Sequence, residues 1–207
     1  MIIHPKQKNT ILLVAGIVLV SFLLITTFVF YFPFSLFDKE FSEEIQEHPN
    51  ALLDAAMKAV SWFGNMPNSV IVVLLTALLF FLFQYKREAL FILFTMGSGI
   101  VSTIIKIIVN RSRPSQSLVR VIETTTQQSF PSGHMILYMV FFGFLILLML
   151  RLTAIPNFIR TGVSSIAILL ILVIPFSRIY LGAHWFTDVL GGFYWAHYTF
   201  LLLVITI

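Results

Sequence analysis

The sequence predicts an all-α polytopic membrane protein in which six transmembrane helices form a bundle. Of its 207 residues, 58% are hydrophobic and only 11% are charged, and the mean hydropathy is +0.96. A soluble domain needs a more polar surface than this composition supplies. No internal repeat and no Gly/Ser-rich linker divides the chain, so residues 1–207 are predicted to form a single domain.

Six apolar runs have the length that a helix needs to cross about 30 Å of hydrocarbon, which is roughly 20 residues. They are predicted at residues 10–32, 68–85, 89–109, 135–155, 161–177 and 186–207.

Short basic segments between these runs predict the orientation, because the positive-inside rule assigns such segments to the cytoplasm. They contain Lys6, Lys8, Lys86, Arg87, Arg151 and Arg160. Both termini are therefore predicted to be cytoplasmic, and residues 110–134 and 178–185 to lie on the extracytoplasmic face of the cell membrane. Since topology accounts for these charges, the net charge of +4 does not indicate nucleic-acid binding.

The connection between the first two runs is acidic, which fits the outer side. Its acidic residues are Asp38, Glu40, Glu43, Glu44, Glu47 and Asp54. Apolar residues recur opposite them at mostly helical spacing, namely Phe41, Ile45, Leu52, Ala56, Val60 and Phe63. This pattern predicts an amphipathic interfacial connector, and the alternative is a lip over which a lipid head group enters.

Three polar clusters interrupt the apolar sequence on the predicted outer side. The first is "KIIVNRSRP", with Lys106 near the end of a span and Arg113 seven residues later. A lysine near the end of a span either snorkels to the interface or meets an anion. Taken alone, Lys106 is interpreted as snorkelling, and Arg111, Arg113 and Arg120 as ordinary loop arginines.

The second cluster is "FPSGHMIL". Ser132 is a good N-cap for the fourth span, and Gly133 lets the backbone come close to a ligand. The exposed amides of such a helix start form an anion site, at which His134 in the first turn would point. A capped helix with an interfacial histidine is an equally favoured interpretation of this tetrapeptide alone.

The third cluster is "SRIYLGAHWFTDVLGG". If the last helix begins near Ala183, His184 and Asp188 lie at positions i and i+4 and share one helix face, so the carboxylate can accept a hydrogen bond from the imidazole and leave its other nitrogen free as a nucleophile or base. Arg178 offers a planar guanidinium that suits phosphate oxygens. The alternative is a buried Asp–His pair whose two side chains only satisfy each other's hydrogen-bonding groups and have no role in catalysis.

Together the clusters place the three cations Lys106, Arg113 and Arg178, a helix N-terminus, two histidines and one carboxylate on one side of the membrane. Such a site suits a tetrahedral anion. The chain has no cysteine, and the clusters contain no group of carboxylates for Mg²⁺, so no metal site is predicted.

In order and spacing the clusters resemble the signature of the type 2 phosphatidic acid phosphatase family, which includes bacterial acid phosphatases and vanadium haloperoxidases. The matching residues are Lys106-x6-Arg113-Pro114, Pro131-Ser132-Gly133-His134 and Ser177-Arg178-x5-His184-x3-Asp188, within residues 106–188. The six-span layout is similar to the integral-membrane branch with phosphatidylglycerophosphate and undecaprenyl pyrophosphate phosphatases.

The resemblance implies a role for each matching residue. His184 would attack phosphorus and form a phosphohistidine, oriented by Asp188, while His134 would protonate the leaving oxygen and then activate water. The phosphoryl oxygens would be held by Lys106, Arg113, Ser132, Gly133 and Arg178. No metal or other cofactor is implied.

These observations predict a metal-independent lipid phosphate or pyrophosphate phosphatase whose partners are membrane lipids. Undecaprenyl pyrophosphate, phosphatidylglycerophosphate and phosphatidic acid are the expected substrates. One alternative is a lipid phosphotransferase that uses the same phosphohistidine, and another is a lipid-binding or transport protein without turnover.

Overall fold

The computed structural model describes residues 5–206, and over this range the chain contains helices and no strands. The helices are α1 (Pro5–Tyr31), α2 (Leu36–Ile45), α3 (Ala51–Ser61), α4 (Asn68–Leu82), α5 (Lys86–Phe94), α6 (Gly97–Val109), α7 (Gly133–Leu137), α8 (Gly143–Arg151), α9 (Asn157–Tyr180) and α10 (Phe186–Thr206). A 3₁₀ turn (Trp62–Gly64) follows α3, and a π-helical segment (Tyr138–Phe142) joins α7 to α8. The predicted all-α membrane bundle is confirmed.

Within residues 5–206, five helical segments are long and apolar enough to cross a membrane by themselves. They are Lys6–Tyr31, Lys86–Val109, Gly133–Arg151, Asn157–Tyr180 and Phe186–Thr206. The predicted span at residues 68–85 is shorter, because α4 has only 15 residues and ends at Leu82. Its rise of about 22 Å is less than the hydrocarbon thickness. A sixth span exists only if α3 and α4, which meet at a bend of 59°, are counted as one.

The core contains many aromatic side chains, and it joins the N-terminal helix to the C-terminal one. The ring of Phe22 in α1 lies 5.2 Å from that of Trp195 in α10 and 6.2 Å from that of Phe130, measured between centroids. Phe130 is fully buried and immediately precedes the Pro131–His134 cluster. Packing of α1 along α10 therefore also supports the loop that leads into α7.

The acidic connector forms two helices rather than one, and both pack onto the bundle. Phe41 and Val60, which the sequence places on the apolar face, pack against the main core, whereas Leu52 is 81% exposed. The side-chain amide of Gln46, between the two helices, donates to the carbonyl oxygens of Arg120 (2.8 Å) and Tyr180 (2.9 Å). The connector is thereby fixed to the end of α9, next to the third polar cluster.

Candidate active site

The three sequence clusters meet around one cavity of about 690 Å³. Six of the eight predicted site residues line it, namely Lys106, Arg113, Gly133, His134, Arg178 and His184. The other two, Ser132 and Asp188, are fully buried behind its wall. The cavity continues between α4 and α6, where its lining includes Val70, Val73 and Ile100. It therefore joins a polar end to an apolar cleft.

His184 is buried at the polar end, with its two ring nitrogens in different surroundings. Nε2 lies 3.2 Å from Nη1 of Arg113, and Nδ1 lies 3.6 Å from Oδ2 of Asp188, which is an ion-pair distance but too long for a hydrogen bond. Burial and the nearby cations, with Arg113 the strongest, lower the pKa of His184 well below its ordinary value. The imidazole is therefore neutral at physiological pH, as a nucleophile must be.

Asp188 is held rigidly beneath His184. Its carboxylate accepts hydrogen bonds from Nη1 of Arg111 (2.6 Å), from the backbone amide of Trp185 (2.9 Å) and from the hydroxyl of Ser129. Its carbonyl oxygen accepts from the backbone amide of Ser132 at 3.0 Å. The same residue therefore ties the start of α7 to the start of α10, and so joins the second cluster to the third.

Arg111 lies at the centre of a buried ion-pair network, so its interpretation as an ordinary loop arginine is wrong. Nη2 is 2.7 Å from Oδ2 of Asp38, and Nη1 is 2.6 Å from Oδ1 of Asp188. The guanidinium also donates to the Thr187 hydroxyl (2.7 Å) and the Pro33 carbonyl (2.9 Å). Asp38, which the sequence places among exposed connector acids, is buried as well. No local pattern marks this pair, because its members are 73 residues apart.

Two cations on the cavity wall share a single carbonyl oxygen. The Gln128 carbonyl accepts from Nζ of Lys106 at 2.8 Å and from Nη2 of Arg113 at 3.2 Å. Arg113 also donates to the Ala183 carbonyl at 2.5 Å, beside His184. Burial, followed by repulsion from Arg178, lowers the pKa of Arg113 to about 10, so the side chain stays charged near neutral pH.

Arg178 is paired with a carboxylate that the motifs do not predict. Its Nη1 donates to Oε2 of Glu123 at 2.8 Å and to the hydroxyl of Ser61, while Nε is buried with no hydrogen-bond partner. Glu123 itself lines the cavity. It is the only acidic residue between Glu88 and Asp188 in the sequence. This isolated charge was the one feature of the sequence that could have indicated a role for Glu123 in the site.

His134 lies in the first turn of α7, across the cavity from the third cluster. The predicted N-cap is present, since the Ser132 side chain accepts from the Met135 amide. Nε2 of His134 lies 2.9 Å from Oδ1 of Asn65 and 3.2 Å from the Ser61 carbonyl oxygen. Both atoms are acceptors, so Nε2 carries a hydrogen. Ser61 is the last residue of α3 and Asn65 lies between α3 and α4, and no motif marks either residue.

The turn that carries the third cluster requires a glycine. Gly182 has a φ of +65°, and a Cβ there would lie 2.2 Å from the carbonyl oxygen of Arg120. We expect Gly182→Ala to lower the free energy of unfolding by about 1–2 kcal/mol from backbone strain, with the steric overlap adding to this. Thermal unfolding in detergent, followed by circular dichroism, measures the effect. Gly162→Ala in α9, where no atom lies within 4 Å of the added Cβ, should not lower the midpoint.

Among residues 5–206, no group of three or more His, Asp or Glu side chains is arranged to hold a metal ion.

Comparison with known proteins gives one family and two solved structures. The profile of the PAP2 superfamily matches residues 87–207, which include all three clusters. The crystal structure of the first transmembrane PAP2 type phosphatidylglycerolphosphate phosphatase from Bacillus subtilis is similar, with a TM-score of 0.78, 21% identity and coverage of 92% of this chain and 94% of that chain. The crystal structure of Aquifex aeolicus LpxE gives a TM-score of 0.58, 20% identity and coverage of 81% and 92%. No curated protein sequence matches the chain.

Proposed function

Because this chain belongs to the PAP2 superfamily, whose membrane-embedded members are lipid phosphatases, we propose that it hydrolyses a lipid phosphate through a phosphohistidine at His184. The observation that best supports this mechanism is the neutral, buried imidazole of His184 on a cavity wall that also carries Lys106, Arg113 and Arg178. A pocket that only binds anions needs the cations but has no use for an uncharged nucleophile among them.

In the first step, Nε2 of His184 attacks phosphorus, and the bond from phosphorus to the leaving oxygen breaks. Nδ1 faces Asp188, which offsets the positive charge that develops on the ring. Lys106 and Arg113 neutralise the phosphoryl oxygens, and the amide of Gly133 at the start of α7 points to the same group. His134 acts in its protonated form: Nε2 keeps its hydrogen toward Asn65 and Ser61, and Nδ1 donates a proton to the leaving oxygen, so the lipid departs as a neutral alcohol when the substrate is a monoester.

In the second step, a water molecule attacks the phosphohistidine. His134, now lacking its proton, accepts one from the water as the oxygen–phosphorus bond forms. The bond between phosphorus and Nε2 breaks, inorganic phosphate leaves, and His184 returns to its neutral form. His134 donates one proton and regains one from the water, and the cations of the cavity stabilise the phosphoryl charge, so the proposed cycle uses no cofactor.

The cleft between α4 and α6 accounts for a lipid substrate. Val70, Val73 and Ile100 offer apolar contacts to a hydrocarbon chain, while the phosphate lies at the polar end with His184. Undecaprenyl pyrophosphate, phosphatidylglycerophosphate and phosphatidic acid are the proposed substrates. The site faces the extracytoplasmic side and the termini face the cytoplasm, a proposal supported by the basic residues Lys86, Arg87 and Arg151 near the opposite helix ends.

The test is phosphate release by the purified protein in detergent from each of these three lipids, with EDTA present and His184→Ala as control. We expect release that survives EDTA, together with an acid-labile, alkali-stable phosphate on the protein after denaturing quench. Transfer of phosphate to an added alcohol in place of water would favour a phosphotransferase. Binding of these lipids with neither reaction would favour a transport or binding protein.

The close contact between Gly64 and His134 gives a prediction about the acid. A Cβ at residue 64 would lie 2.2 Å from Cδ2 and 2.7 Å from Nε2 of the His134 ring. Gly64→Ala must therefore displace the imidazole, and we expect kcat to fall by about 100-fold. The measurement is steady-state phosphate release. The control is Gly97→Ala, where no atom lies within 4 Å of the added Cβ, and equal rates in the two variants would contradict the assigned role.

A further inference from the structure

Glu123 is, among the residues that the structure describes, the one carboxylate that lines the active-site cavity. Its position is fixed by the backbone, because the amides of Ile122 and Glu123 both donate to the Leu181 carbonyl, at 2.9 and 3.2 Å. The side chain is partly exposed, and Oε2 lies 2.8 Å from Nη1 of Arg178. A negatively charged side chain is thus fixed in a cavity whose other charged side chains are the cations Lys106, Arg113 and Arg178.

The carboxylate lies between Arg178 and the segment that holds His134. Ser61 connects the two, since its hydroxyl donates to Oε2 of Glu123 at 3.2 Å and its carbonyl oxygen lies 3.2 Å from Nε2 of His134. In the proposed reaction, which this inference rests on, His134 protonates the leaving oxygen. Glu123 therefore borders the part of the cavity in which His134 would meet the leaving oxygen.

Monophosphate and diphosphate esters differ in what they place in that part of the cavity. A monoester presents an alkyl oxygen that carries no charge of its own, whereas a diphosphate presents a second anionic phosphate. A second phosphate would lie beside the Glu123 carboxylate, where partial burial strengthens the repulsion between like charges. Glu123 also offsets part of the positive charge of Arg178, because Nη1 of that arginine is paired with it, so less of this charge is left to attract a second phosphate. Repulsion of the wrong substrate is a common route to specificity.

We infer that Glu123 makes this enzyme selective for lipid phosphate monoesters over lipid diphosphates. The class of substrate is then a single phosphate on a lipid alcohol, and a second phosphate next to the scissile bond is disfavoured. Removal of the charge at residue 123 should relax this selectivity without abolishing the chemistry, because His184 and His134 remain.

The experiment compares farnesyl phosphate with farnesyl diphosphate, which have the same hydrocarbon. Initial rates in detergent, with products separated by chromatography, give kcat/KM for each substrate. For the wild-type protein we expect at least a tenfold higher kcat/KM for the monophosphate. Glu123→Gln should reduce this ratio by about tenfold, while Glu123→Asp, which keeps the charge, should stay closer to the wild-type ratio. Glu47→Gln removes the same charge at an exposed connector residue and should leave both rates unchanged.

An unchanged ratio in Glu123→Gln would overturn the inference, and so would an equal shift in Glu123→Asp, because the charge would then not be the cause. If Glu123→Gln does not fold, the inference is tested by the wild-type ratio of kcat/KM for the monophosphate to kcat/KM for the diphosphate. A wild-type preference for the diphosphate would overturn the inference. Failure of the proposed function has a different signature, since the wild-type protein would then hydrolyse neither substrate.

Discussion

The His184→Ala protein is expected to release phosphate from every lipid substrate at least about 10⁴-fold more slowly than the wild-type protein. The reason is that no other nucleophile on the cavity wall is held next to both Arg113 and Asp188. The cations stay in place, so the variant should still bind inorganic phosphate. Loss of turnover with retained binding identifies His184 as a residue of the chemical step.

The measurement is phosphate release together with denaturing quench of the labelled protein. His197→Ala is the matched control, since this histidine belongs to the same helix as Asp188 but packs beside Phe193, with 5.0 Å between ring centroids, and does not line the cavity. We expect its rate to stay within about twofold of the wild-type rate, as for substitutions without contact to the site. A phosphorylated His184→Ala protein would contradict the assignment of the nucleophile.

Arg111→Met is expected to lower the free energy of unfolding by about 3–5 kcal/mol, because it leaves the buried carboxylates of Asp38 and Asp188 without their shared cation. The guanidinium donates to both, at 2.7 and 2.6 Å, and none of the three side chains is more than 1% exposed. We also expect low activity in whatever protein folds, since Asp188 loses a bond that fixes it under His184.

Thermal unfolding in detergent, followed by circular dichroism, measures this effect. Arg120→Met is the matched control, because Arg120 belongs to the same loop and pairs with Asp54 at 2.6 Å, but its side chain is 40% exposed. An exposed ion pair contributes about 0–1 kcal/mol, so the control should shift the midpoint far less. Equal shifts in the two variants would show that the buried network does not stabilise the fold.

The sequence alone determined the class of the protein and predicted most of the residues that line the candidate site. The length of an apolar run indicates whether a helix can span a bilayer, because about 20 residues are needed to cross the hydrocarbon. Inside the hydrocarbon every backbone polar group must form its hydrogen bond within the protein, which favours a helix. The sequence also placed His184 next to Asp188, but its reason was wrong: α10 begins at Phe186, so His184 lies in the turn before the helix and does not share a helix face with Asp188. The order of the three motifs predicted the group of residues that line the cavity.

The tertiary structure alone decided which charges pair. Arg111 and Asp38 are 73 residues apart, and Arg178 and Glu123 are 55 apart, so no periodic pattern relates them. Judged from the sequence around each residue, Asp38 in a polar connector and Arg111 in a loop are both expected to be ordinary surface residues. Only the packing of the connector onto the bundle removes them from water, and burial then requires that each charge find a partner.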